Sequence, residues 1–209
     1  MILISARTLA TTLDVIVPFA SKDPTLPTLC GVHFRPRKRG VEVWATDRYR
    51  VAALQVELDN AAEFDPFTLS TAALAGIRTL WKPTRGHNPT LSILTNPDNV
   101  IVTPDGDGWD VQAATIAHIQ GSAKAWTGVH KALDGILTAA LADPDPEAVA
   151  KAGQWGLDPN LLTGFSAAAK HHGQVVLTFH GPGKAVGAAA GDLFRAAIMP
   201  TRRTGGVVA

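Results

Sequence analysis

One pattern, strand–helix–strand–strand–strand, can be traced three times along the chain, and that self-similarity restricts the fold more than any single motif does. The first copy opens with the apolar run Ile2 to Ile4. Leu9, Leu13, Ile16 and Val17 follow at helical spacing, with Thr8 as the expected N-cap and Pro18 as the stop. Thr28 to Phe34, Val41 to Thr46 and Tyr49 to Leu58 read as strands. Between the first two, Arg35-Pro36-Arg37-Lys38-Arg39-Gly40 reads as a hairpin loop.

The second copy has a strand at Phe67 to Ser70 and a helix over Thr71 to Trp81, with Leu74, Ile77 and Trp81 on one face. Its strands are Thr90 to Leu94, Val100 to Thr103 and Trp109 to Ile116, split by Asn- and Gly-rich turns. The third has a strand at Gln154 to Leu157 and a helix opened by Asp158-Pro159 and closed by Gly173. Strands at Gln174 to His180, Ala185 to Ala190 and Phe194 to Met199 complete it. The organisation is therefore two units within residues 1–122, a helical connector over 123–153 with a helix from Trp126 to Leu141, a third unit over 154–203, and a flexible tail at 204–209.

Composition limits the function. Of 209 residues, 46% are hydrophobic, enough for a core, and 18% are charged, too few for a disordered polyelectrolyte. With a net charge of +1 the chain cannot coat nucleic acid by bulk charge, so any such contact must come from local clusters. A single cysteine, Cys30, excludes an internal disulfide and a Cys-rich zinc site, and fits a reducing cytoplasm. No apolar run reaches membrane-spanning length, and the N-terminus lacks the features of a signal peptide.

A scan for chemistry returns no catalytic set. Gly181-Pro182-Gly183-Lys184 lacks the Ser/Thr and the strand–loop–helix setting of a phosphate loop, and reads as a turn. His171-His172 has no further ligand at helical spacing, and Asp105-Gly106-Asp107-Gly108 lacks the calcium-loop spacing. Cys30 lies in an apolar strand, and Ser166 has no nucleophile-elbow context. The reading is a non-enzyme with no metal and no cofactor.

Two long stretches resemble the β sliding clamp of bacterial replicative DNA polymerase. Thr25-Leu26-Pro27-Thr28-Leu29-Cys30-Gly31 followed by Ala45-Thr46-Asp47-Arg48-Tyr49-Arg50-Val51-Ala52 is similar to the family's central domain. Asp158-Pro159-Asn160-Leu161-Leu162 and Met199-Pro200-Thr201-Arg202 resemble the end of its last domain. Gly121 to Val129 falls at a further central-domain segment, with Lys124 where the family has Pro. The resemblance implies an α+β DNA-clamp fold with helices on one face of curved antiparallel sheets. It also implies one clamp domain over 1–122 and a C-terminal half-unit over 154–203, the intervening half-unit being replaced by the connector. The small size suggests a phage or another mobile element.

The resemblance further implies two surfaces. Thr46, Arg48, Tyr49, Arg50, Val51, Val129, Met199, Pro200 and Arg202 would form a pocket for short peptides of polymerases and repair proteins. Lys22, Arg7, Arg78, Lys82, Arg85, Lys131 and Lys170 would face double-stranded DNA and contact its backbone without reading bases. The expected partners are DNA, polymerase and a clamp loader, in the cytoplasm of a host cell. Two forms stay open. If the connector completes a second pseudo-domain, three copies could close a ring; if it does not, an edge stays open. The chain would then be an adaptor or decoy for clamp-binding peptides.

Overall fold

A serine hydroxyl starts each of the first two units' helices. The computed structural model describes residues 1–58, 63–96, 98–105, 113–117, 119, 122–150, 157–181 and 183–200. Strand β1 (Ile2–Ser5) runs directly into α1 (Ala6–Ile16), whose N-cap is Ser5. The Ser5 hydroxyl accepts from the Thr8 backbone N–H at 3.0 Å, so Thr8 lies inside the first turn rather than capping it. Strand β5 (Phe67–Ser70) and α2 (Thr71–Leu80) repeat the arrangement, with Ser70 accepting from the Ala73 N–H at 3.1 Å.

Strands β2 (Gly31–Arg37), β3 (Gly40–Thr46) and β4 (Arg50–Glu57) complete the first unit, and β6 (Thr90–Thr95), β7 (Asn99–Asp105) and β8 (Ala114–Ala117) the second. The hairpin loop expected at 35–40 is shorter than the sequence suggested. Arg35, Pro36 and Arg37 belong to β2, because Arg35 and Arg37 pair with Glu42 across the ladder. The connector forms α3 (Ser122–Leu141) and α4 (Pro146–Ala150). In the third unit the expected single helix is two, α5 (Pro159–Leu162) and α6 (Phe165–His172). They part where Gly164 packs against the Phe19 ring. Strands β9 (Val175–Thr178), β10 (Val186–Ala190) and β11 (Phe194–Ile198) follow. The expected strand at Gln154 falls largely outside the described residues, as does the tail.

All pairings are antiparallel, in two sheets: β1-β6-β7-β8 and β5-β2-β3-β4-β11-β10-β9. The first two units interlock by exchanging leading strands, β5 lying on β2 and β1 on β6. The third unit joins the first directly, β11 pairing with β4 so that Ala196 faces Ala52.

Side chains alternate across a strand, so the larger sheet presents two sets of residues. Val41, Val43, Ala45, Ala52, Leu54, Val56, Phe194 and Ala196 share a core with α1. Trp44, Val51, Ala53 and Ala197 face the other way and pack on Trp126, Leu137 and Ala140 of α3. Both faces of β3 are therefore covered, which is why every residue of it is buried. The helices of the repeats pack side by side on one face. Asp14 of α1 takes an ion pair from Arg78 of α2 at 2.6 Å and lies 3.9 Å from His171 of α6. The connector helix α3 lies on the opposite face and supplies no strand. It sits close: a Cβ on Gly187 would collide with the Ala140 carbonyl. Trp126 stacks on His33 at 4.7 Å, nearly parallel. Among the described residues no helix is long and apolar enough to cross a membrane.

Candidate functional site: a groove between the β3–β4 turn, β11 and α3

The turn from β3 to β4 is built by two short side chains. The Thr46 hydroxyl donates to the Arg50 carbonyl at 2.8 Å, and Asp47 Oδ1 accepts from the N–H groups of Tyr49 and Arg50 at 3.0 and 2.9 Å. Between them Arg48 is held at φ +79°, the left-handed region that a non-glycine residue enters only when its surroundings demand it. The turn throws Tyr49 outward, 57% exposed, with the Arg48 guanidinium 5.8 Å above its ring.

Arg50 points the other way. Its guanidinium donates to Asp47 Oδ2 at 2.8 Å, to the Leu161 carbonyl at 3.1 Å and to the Pro18 carbonyl at 2.6 Å, and lies 5.2 Å over the Phe19 ring. It ties the first unit to the third. Its charged end is thus committed to the interior, whereas the sequence reading gave it to a peptide.

Met199 closes the site from the far end of the chain, its N–H donating to the Tyr49 carbonyl at 2.7 Å. A cavity of about 50 Å³ opens here, lined by Thr46, Arg48, Tyr49, Arg50, Val51, Leu133, Ile136, Ala197 and Met199. Val129 lines an adjoining cavity of about 40 Å³ with Thr28, Leu29, Ala125 and Trp126, and the two share Thr46 and Leu133. Six of the residues expected at the peptide surface thus meet around one cavity, and Val129 borders the next. Pro200 follows Met199, half-buried and outside both linings, and Arg202 lies outside the described residues. Leu133, Ile136 and Ala197 were missed. Leu133 and Ile136 stand four and seven residues after Val129, a helical spacing that would have revealed the first two.

Next to the groove, Glu42 is fully buried and holds three arginines: Arg35 at 2.7 Å, Arg37 at 2.8 Å and Arg195 at 3.2 Å. Burial pushes its carboxyl up, but the hydrogen bond from Arg37 and the charges of Arg35 and Arg37 prevail and hold it below the usual range. His130 of α3 meets this cluster, with its Nδ1 3.0 Å from Arg35 and its ring edge-on to Trp44. Burial and Arg35 keep His130 below its ordinary value. Burial, His130 and Arg35 push His33, which lies beneath α3, down to about 3, so its ring is neutral near pH 7.

The expected DNA-facing residues divide. Lys170 is exposed on α6 and Lys82 at the end of α2, while Lys22 is exposed in the loop after α1 and Arg85 in the turn after α2. Arg7 is exposed on α1 and reaches the Thr84 carbonyl at 3.4 Å; Arg78 is paired with Asp14. Lys131 does not belong with them, because α3 puts it across the sheet from α1, α2 and α6. Among the described residues no group of three or more His, Cys, Asp or Glu is placed to hold a metal ion.

Interlocked strand–helix–strand–strand–strand units, with their helices side by side beneath antiparallel sheets, define a clamp-type fold. Solved structures of bacterial sliding clamps share it. The DNA polymerase III β chain of Streptococcus pneumoniae is 14% identical, with a TM-score of 0.67 over 96% of this chain and 64% of its own. The polymerase sliding clamp of Bacillus subtilis is 14% identical, with a TM-score of 0.68 over 97% of this chain and 64% of its own. The β subunit of Thermotoga maritima is 13% identical, with a TM-score of 0.66 over 98% and 66%. The chain has the sliding-clamp fold and spans a little under two thirds of the length of these proteins. No protein-family model matches the sequence, and no curated protein does.

Proposed function

We propose that this chain is a clamp-like DNA replication protein. In this reading it tethers polymerase or repair proteins through a peptide seated in the groove and touches the DNA backbone with its α1, α2 and α6 face. The observation that carries the reading is the apolar surface at the groove. Tyr49, Val129, Ile136 and Met199 are 57, 46, 41 and 45% exposed, so four of the ten exposed large hydrophobic residues among those described converge on one place. Plain core side chains would be covered; a peptide anchor must stay open. Met199 supplies a flexible wall and Arg48 a charge for the peptide's carbonyls or carboxylates. Burying a Leu or Phe side chain contributes about 1.5–3 kcal/mol, and a few such anchors give micromolar affinity after ordering costs.

The test is fluorescence anisotropy with a labelled peptide ending in Leu-Phe. The wild-type chain should bind it, Met199→Asp and Ile136→Asp should not, and Arg7→Ala should bind like wild type. A wild-type protein that ignores the peptide removes this function from the groove.

A second reading is favoured by one observation: α3 supplies no strand to complete a further unit. A single chain would then bind clamp-type peptides without encircling DNA, as an adaptor or decoy. Retention on circular DNA that is lost on linearisation supports the first reading, and equal retention on both the second.

A further inference from the structure

Along one line on the α3 face of the larger sheet, packing gives way to charge. Residues two apart on a strand share a face. On each of three strands a residue packed under α3 has a charged one two positions away: His33 has Arg35 on β2, Trp44 has Glu42 on β3, and Ala197 has Arg195 on β11. On β4, Gln55 stands two beyond Ala53 in the same way.

The acid of this line lies at the bottom and the cations come to the surface. The Glu42 side chain is wholly buried, whereas those of Arg35, Arg37 and Arg195 are 24, 41 and 26% exposed. Arg35 gives Glu42 its Nε and one terminal nitrogen, and Arg37 and Arg195 give one nitrogen each, at 2.8 and 3.2 Å. A guanidinium carries five N–H donors in a rigid fork, so Arg37 and Arg195 keep donors for a further acceptor. The ion pairs with Glu42 already fix where those donors stand, which lowers the ordering cost of binding. From Arg37 the positive charge continues through the exposed hairpin tip, Lys38 and Arg39. These three line a cavity of about 280 Å³ together with Gln55 and Glu57. The patch thus sets Arg35, Arg37, Lys38, Arg39 and Arg195 against Glu42, Glu57 and Asp134, a local excess in a chain whose net charge is only +1.

We propose that this patch docks an acidic segment of a partner protein, whose Asp and Glu carboxylates take the outward N–H groups of Arg37, Arg195 and the hairpin cations. Glu42 displays the chemistry, a carboxylate held by guanidiniums at charge-assisted distances. The rim acids select a peptide over a nucleic-acid backbone. Asp134, 3.5 Å from Arg195, and the exposed Glu57 interrupt the cations. They would repel an unbroken row of phosphates, whereas a peptide can space its carboxylates between them. His130 and Asp134 of α3 border this patch, while Val129, Leu133 and Ile136 border the groove. The two sites lie on different flanks of one helix, and acidic docking stands or falls independently of peptide binding in the groove.

The probe is a labelled peptide of repeated Asp-Glu-Ser, followed by anisotropy on the full chain. It should bind saturably at low salt and weaken as salt rises. The Asn-Gln-Ser analogue should bind about tenfold more weakly or worse. Lys38→Gln with Arg39→Gln removes exposed charge without touching the ion pairs of Glu42, and should weaken binding about tenfold. Arg37→Gln, which leaves Arg35 and Arg195 on Glu42, should do the same with an unchanged circular dichroism spectrum. Asp134→Asn should tighten binding, an effect that damage to the fold cannot produce. Lys184→Gln, at the other end of β10 from Ala189, the partner of Arg195, should change nothing. A wild-type chain that ignores the acidic peptide, or binds the Asn-Gln-Ser analogue equally well, overturns the proposal. An equal loss in Lys184→Gln would mean attraction by overall charge and overturns it too. So does a single-stranded oligonucleotide that binds more tightly than the peptide and is lost in the same variants, which would make the patch a phosphate site.

Discussion

The backbone N–H of Met199 donates to the carbonyl of Tyr49 at 2.7 Å, joining the last described strand end to the first unit's turn. Thr46, Asp47 and Arg50 hold the other side of that contact, and the Arg50 guanidinium also reaches the Pro18 carbonyl.

Arg50 and Met199 should therefore respond oppositely to substitution. Arg50→Ala removes an almost buried ion pair with Asp47 and leaves the Pro18 and Leu161 carbonyls without their donor. It should cost about 3 kcal/mol in urea unfolding. Met199→Ala, at an exposed position, should change stability by less than about 1 kcal/mol while weakening peptide binding.

Gly187 fixes how closely α3 lies on the sheet. Gly187→Ala sets a methyl group against the backbone of Ala140, which cannot rotate aside. The expected cost is about 1–3 kcal/mol. Hydrogen exchange should show faster opening of α3, with β2 and β3 unchanged; uniform loss of protection would mean that α3 is not a separable layer.

Acid should loosen the same helix. His33 is depressed to about 3 by burial, His130 and Arg35, while an unfolded histidine titrates near 6.5. The unfolded chain then binds more protons, so stability is full above about pH 6.5 and falls as pH drops toward 3. The slope can reach about 1.4 kcal/mol per pH unit for each such histidine. His130 is shifted in the same direction and adds to the effect. Urea midpoints between pH 7.5 and 5 should decline, and His33→Gln should flatten the decline. Because Leu133 and Ile136 of α3 line the groove, peptide affinity should weaken over the same range.

DNA contact should depend on one face only. Lys22→Glu, Lys82→Glu and Lys170→Glu should each weaken binding alike for all sequences. Each should also lower the salt slope by about 0.9 per lost phosphate contact. Lys131→Glu, on α3, should bind like wild type. A Lys131→Glu defect equal to that of Lys170→Glu, measured by anisotropy at two salt concentrations, would place the DNA surface elsewhere.

The repeats were legible because each is punctuated locally, by Pro18 after the first helix, Asp158-Pro159 before the third and Gly173 after it. The cap of the first helix was displaced from Thr8 to Ser5 because either hydroxyl satisfies the pattern, and only the backbone decides which one is extended. The groove was legible through the order Thr46 to Val51 and Met199. Its third wall was hidden, since Leu133 and Ile136 join it only once α3 crosses to the far face. Arg35 and Arg37 read as a loop because their partner, Glu42, looks like an exposed acid in an alternating strand. The cover that α3 gives to the second face of β3 buries Glu42 and recruits the arginines.

The pairing of β4 with β11 carries a consequence for synthesis. β4 is complete by residue 57, yet the strand that covers its edge spans residues 194–198. A growing chain must carry that apolar edge unpaired until residue 198 has been translated, a state in which edges capture other chains. Closure over so long a separation is also slow. Expression at lower temperature, or with a holding chaperone present, should therefore raise the yield of this protein more than any surface substitution does.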